Sequence, residues 1–132
     1  MVQVVLTLHS YNVYLLIVAA AVSGIWGLFL YFGKRETNRP WRNSLIVTAI
    51  LAALQALFGI ILVVMGLKPG TGTGIYYLHY VYGAIAVLGI PIAMTYATGG
   101  KHPRRDILIF SIAALIVAAV GVRAWMTGPV IH

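Results

Sequence analysis

The chain has 132 residues, 61% of them apolar and only 8% charged, with a net charge of +7 and a mean hydropathy of +0.97. That balance excludes an ordinary water-soluble domain of this size. The absence of cysteine excludes disulfides, thiolate metal sites, iron–sulfur clusters and covalent c-type heme attachment.

The basic residues sit in short segments between long uncharged runs, so they describe membrane topology and not a nucleic-acid footprint. Four apolar segments are long enough to cross a bilayer at about 20 residues each. The first, near residues 8–33, has no basic region ahead of it and exceeds the length of a signal-peptide core, so it reads as a retained span. It ends at "GKRETNRPWRN". The second, near 43–67, ends at "LKPGTGTG"; the third, near 75–98, at "TGGKHPRRD"; the fourth, near 107–126, at "WMTGPVIH". Backbone groups in lipid must pair within their own segment, and the period-2 alternation of a barrel is absent, so the spans are helices. The short loops predict antiparallel neighbours. The expected fold is an all-α, integral membrane four-helix up-down bundle, one transmembrane domain over residues 1–132.

Lys34, Arg35, Arg39, Arg42, Lys101, Arg104 and Arg105 lie on one side of the membrane, and only Lys68 and Arg123 on the other. The positive-inside rule then puts both termini outside the cytoplasm of what reads as a prokaryotic plasma membrane. Small residues that allow close helix approach are frequent: Ala19, Ala20, Ala21, Ser23, Gly24 and Gly27 in the first span, Gly59 and Gly66 in the second. Pro91 should bend the third span. His102 beside Pro103 reads as a solvated loop residue, and His132 as a frayed end.

His9 and His79 carry the chemistry. His9 precedes Lys34 by 25 residues, and His79 precedes Lys101 by 22. At about 1.5 Å per residue the two stand within about one turn of the same level. Both spans run in the same direction, and the first and third helices of a four-helix bundle are diagonal. Two neutral imidazoles at matched depth can clamp a heme iron from both faces. Gly83, four residues after His79, leaves room for a porphyrin edge. Tyr11, Tyr14, Tyr76, Tyr77, Tyr80 and Tyr82 surround the level. Arg123 and Lys68 stand where outward-facing propionates would need cations. Interface histidines and tyrosines also occur without any cofactor, and Arg123 also reads as a snorkelling residue. Gln55, in "LAALQALFGI", needs a partner: either another helix, or a quinone or cofactor.

The stretch "LQALFGIILVVMGL", a short loop and "LHYVYGAIAVLGI" resemble heme A synthase, as does the upstream "LHSYNVYLLIVAAAVSGIWGLFLYF". The likeness covers roughly residues 6–98. It implies a four-helix bundle, duplicated to eight helices in that family, with a bis-histidine heme site in each half. His9 and His79 match the ligands. This chain has one bundle only, with its histidines on the first and third helices where the family uses the second and fourth. No glutamate precedes His9 in "VVLTLHS", where the family's catalytic half resembles a Glu-x-x-His arrangement. Small membrane b-type cytochromes are similar at the same level.

The leading expectation is a membrane heme b protein in electron transfer, with the iron held by His9 and His79. It would act as a homo-oligomer or a subunit of a respiratory or photosynthetic complex, in contact with membrane lipid and exchanging electrons with a quinone or periplasmic carrier. A cofactor-free structural or assembly subunit and a heme-modifying enzyme are the alternatives. The spans lack the buried carboxylates of ion-coupled carriers. "PGTGTG" lacks the Lys-Ser/Thr ending of a phosphate loop, and no His-x-x-x-His or carboxylate cluster is present.

Overall fold

The structure is a computed structural model and describes residues 2–66, 78–97 and 101–127. Among these there are four helices and no strand: α1 (Val2–Phe32), α2 (Arg39–Val64), α3 (Leu78–Tyr96) and α4 (Pro103–Thr127). All four are long and apolar enough to cross a membrane. Large apolar side chains such as Val18, Phe29, Ile50, Ile60, Leu88 and Ile116 point outward around the bundle. In water that perimeter would be an aggregation surface, whereas in lipid it is the ordinary exterior.

Three helices start earlier than the apolar segments suggest. α1 begins at Val2, α2 at Arg39 and α4 at Pro103, against expected starts near 8, 43 and 107. Hydropathy marks where the chain becomes apolar, but local chemistry marks where the helix begins. Asn38 has extended dihedrals, φ −131° and ψ 162°, and its side chain accepts the Trp41 backbone N–H, while Pro40 fits the first turn. Pro103 opens α4 for the same reason. α3 continues as helix through Pro91.

α1 and α4 form the spine of the bundle. α2 packs on α1, and α3 on α4. α2 touches α3 only lightly, and no Cα of α1 lies within 8 Å of a Cα of α3 among the described residues. The first and third helices are therefore diagonal. Lipid supplies no hydrophobic drive for helix association, so close packing has to do it. Gly24 and Gly27 of α1 meet Leu115 and Ser111 of α4. A Cβ on Gly24 would come within 2.6 Å of the Leu115 side chain, and one on Gly27 would overlap Ser111. Gly89 brings α3 equally close to Val117 of α4, and Gly121 brings α4 close to Ile17 of α1.

The packed core lies toward the end that carries the basic loops. Leu30, Trp41, Leu45, Ile90 and Ile107, from all four helices, form one cluster there. A second cluster of smaller residues, Leu16, Ala20, Ala52, Ala86 and Val117, fills the middle. Ser23 donates to Ser44 (2.9 Å) and lies 3.3 Å from Thr48, and the Trp41 indole donates to the Ser23 carbonyl (3.0 Å). Ser44, Thr48 and Ser111 each donate to a carbonyl of their own helix. Every hydroxyl in this buried layer has a partner, as an apolar medium demands.

Candidate functional site

The opposite end of the bundle is built around the two histidines. His9 lies in the third turn of α1, and His79 is the second residue of α3. Their ring centres are 6.1 Å apart, with ring planes at 73°. The side chains thus cross a diagonal that the backbones do not, and the matched depth read from residue counting is realised.

His79 is held from α4. Its Nδ1 lies 2.8 Å from the Ala124 carbonyl, in the last turn of that helix. A carbonyl can only accept, so Nδ1 is the donor in this bond. Donation of one ring nitrogen to a backbone carbonyl is the usual way in which a metal-ligating histidine is oriented.

His9 is held from α2, through its backbone. The Gln55 side-chain N–H donates to the His9 carbonyl (2.9 Å). Asn12, one turn after His9 and buried, donates to the Gln55 amide oxygen (2.9 Å) and to the Leu51 carbonyl (3.0 Å). This network locks the register of α1 against α2 at the histidine level. Gln55 has found its partners in another helix, the first of the two roles open to it. Gly59, one turn further along α2, lies flat against the imidazole. A Cβ there would stand 3.4 Å from Cε1 of His9. The His9 ring itself is less settled: Nδ1 is buried and has no hydrogen-bond partner among the described residues. An unmet buried polar atom of this kind costs about 1–3 kcal/mol.

The other expected residues divide. Gly83 faces open space, with nothing within 4 Å of where a Cβ would be. The Arg123 guanidinium lies over the ring of Tyr82, 5.7 Å from its centre, beside the Ala124 carbonyl that orients His79. Tyr80 packs edge-on against His79 at 6.4 Å. Tyr14 accepts from the Trp125 indole (3.1 Å), tying α1 to α4, while Tyr11 is exposed. His102 is exposed at the basic end. Lys68, Tyr76, Tyr77 and His132 lie outside the described residues. Asn12 was not singled out in the sequence, although its spacing of three from His9 puts both on one helix face.

The donor set has a definite chemical character. The described residues hold no group of three or more His, Cys, Asp or Glu side chains able to hold an ion by themselves. His9 and His79 would therefore supply two ligands to a metal that arrives with its others, as iron does in a tetrapyrrole. The oriented His79 and the open space at Gly83 are compatible with such a group, whereas the unmet His9 Nδ1 lies on the ring edge that faces Gly59 of α2.

Comparison of the chain with protein-family models, with curated proteins and with solved structures returned no match. The likeness to heme A synthase rests on the quoted residues alone.

Proposed function

We propose that this membrane protein binds heme b between His9 and His79 and serves in electron transfer. The observation that carries the reading is the 6.1 Å separation of two imidazoles on helices that otherwise stay apart. Bound heme would supply a one-electron redox centre. The chain's own contribution is to fix the axial ligands: His79 through the Ala124 carbonyl, and His9 through the Gln55–Asn12 network on its backbone. Arg123 stands at the right level to meet a propionate by turning away from Tyr82, and Lys68 is the second cation proposed for that role. The apolar bundle interior would keep the cofactor in a low dielectric, which tunes its potential.

The remaining features follow from the charge distribution. Lys34, Arg35, Arg39, Arg42, Lys101, Arg104 and Arg105 would face the cytoplasm of a prokaryotic plasma membrane, with both termini and the heme on the other side. Electrons would then be exchanged with a quinone or a periplasmic carrier. No second histidine pair exists to carry them to the basic end, which favours a homo-oligomer or a larger complex.

Two acidic residues exist in the chain, Glu36 and Asp106, and both lie at the basic end. A heme-modifying reaction of the heme A synthase type, which resembles a Glu-x-x-His design, has no carboxylate at the histidines to work with. The structural-subunit reading draws on one observation, the His79–Ala124 bond, which fastens α3 to α4 without any cofactor.

The deciding experiment is an optical spectrum of the purified protein, oxidised and dithionite-reduced, beside His9→Ala and His79→Ala variants. A sharp reduced α-band that is lost or shifted in both variants is the expected result. A colourless protein after growth with heme precursor would leave the structural reading.

A further inference from the structure

A groove of about 840 Å³ runs along the outer face of α3 and α4. Its floor is made of small residues, Ala84, Gly89, Ala93 and Ala113, and its walls are aliphatic. Tyr80 and Tyr96 mark its two ends on α3, about 24 Å apart along the helix. At the basic end the groove reaches Arg105. A second cavity of about 530 Å³ lies there, lined by Lys101, His102, Pro103, Arg104 and Arg105. Arg105 belongs to both, so an apolar trough leads directly into a basic pocket.

The charges of that pocket are not balanced locally. Residues 101–106 carry Lys101, Arg104 and Arg105 against one acid, Asp106. Arg104 is partly committed to α1, where it donates to the Tyr31 carbonyl (3.0 Å) and stacks over the Tyr31 ring at 4.9 Å. Arg105 stands at the mouth of the groove, and Lys101 lines the basic pocket beside it. An apolar trough longer than one leaflet of about 15 Å, ending on cations at interface depth, is complementary to an anionic amphiphile. Basic pockets beside membrane helices bind acidic headgroups for this reason.

We infer that the α3/α4 groove binds one anionic phospholipid. An acyl chain lies along the trough, and the phosphate is held by Arg105 and Lys101. A quinone headgroup carries no charge and would make no use of the basic pocket. The headgroup end of the site, at Arg105, lies at the opposite end of the bundle from the histidine pair, although Tyr80 at the other end of the groove packs against His79; the assignment holds whether or not heme binds there.

The test is native mass spectrometry of the protein in neutral detergent, titrated with phosphatidylglycerol and with phosphatidylcholine of the same chains. One phosphatidylglycerol should be retained in preference to phosphatidylcholine. Arg105→Gln should weaken its retention about fivefold, the effect of one interfacial cation, and Arg105→Lys should largely keep it. Ile112→Trp, which fills the trough from an exposed position, should also weaken it. Equal retention of the two lipids, or no change in Arg105→Gln, would overturn the assignment. So would competition by glycerol phosphate as strong as that of the lipid, or saturable binding of a quinone that ignores Arg105.

Discussion

The two ends of the bundle are built on opposite principles. At the basic end, Trp41 is buried among Leu30, Leu45, Ile90 and Ile107, and the neighbouring hydroxyls of Ser23, Ser44, Thr48 and Ser111 are all hydrogen-bonded. At the histidine end two rings meet across the diagonal. Among the described residues, one of those rings has a buried nitrogen without a partner, and nothing lies within 4 Å of where a Cβ on Gly83 would be. A membrane helix bundle that needed only to exist would be packed like the first end throughout. The second end keeps an unmet buried nitrogen where an apolar medium makes it costly, and the proposed function rests on that end.

That contrast can be broken most directly with leucine at two glycines. Gly27→Leu forces a side chain into Ser111 and should cost about 1–3 kcal/mol or more, read by unfolding in mixed detergent micelles. Gly83→Leu should leave stability near that of the parent and lower any heme occupancy instead. A Gly83→Leu protein as unstable as Gly27→Leu would mean that the histidine end is closed.

A smaller effect tests how the open end is held. Asn12→Leu leaves the Gln55 amide oxygen without its donor, while the Gln55 N–H still donates to the His9 carbonyl, and should cost about 0.6–2 kcal/mol, the range for interhelical hydrogen bonds in membranes. The double variant with Gln55→Leu should recover part of that loss, since no polar group is then left unpaired. Recovery in the same unfolding assay would show that the network is worth its specificity, positioning His9, more than its energy.

Asn38→Ala removes the cap of α2 at the well-packed end and should cost about 1 kcal/mol, seen as faster amide exchange in the first turn of α2. Smallest of all, Gly59→Ala brings a methyl group to ordinary contact distance from His9. It should change stability by less than about 0.5 kcal/mol. A larger loss would mean that the imidazole lies closer to α2 than 3.4 Å suggests.

Much of this was legible in the chain, for identifiable reasons. The four helices follow from apolar length alone, because lipid admits few other backbones. The depth match of His9 and His79 follows from counting residues to Lys34 and Lys101, since a straight helix converts residue number to height. Gly24 and Gly27 were readable as approach points, but not the residues they would meet. Helix starts were missed because Asn38 and Pro103 act through dihedrals and capping, which hydropathy does not register. Asn12 and the Ser23–Ser44–Thr48 layer were missed because their meaning lies in the register of α1 against α2. Their polarity alone says only that partners are needed. The unequal packing around the bundle, tight between α1 and α4 and loose between α2 and α3, depends on side-chain shapes from two helices at once and leaves no trace in either alone.

The 73° between the imidazole planes has a spectroscopic consequence for the proposed function. If heme is bound as proposed, His9 and His79 would hold its iron, and the mutual tilt of their rings would be read from the electron paramagnetic resonance spectrum of the oxidised protein.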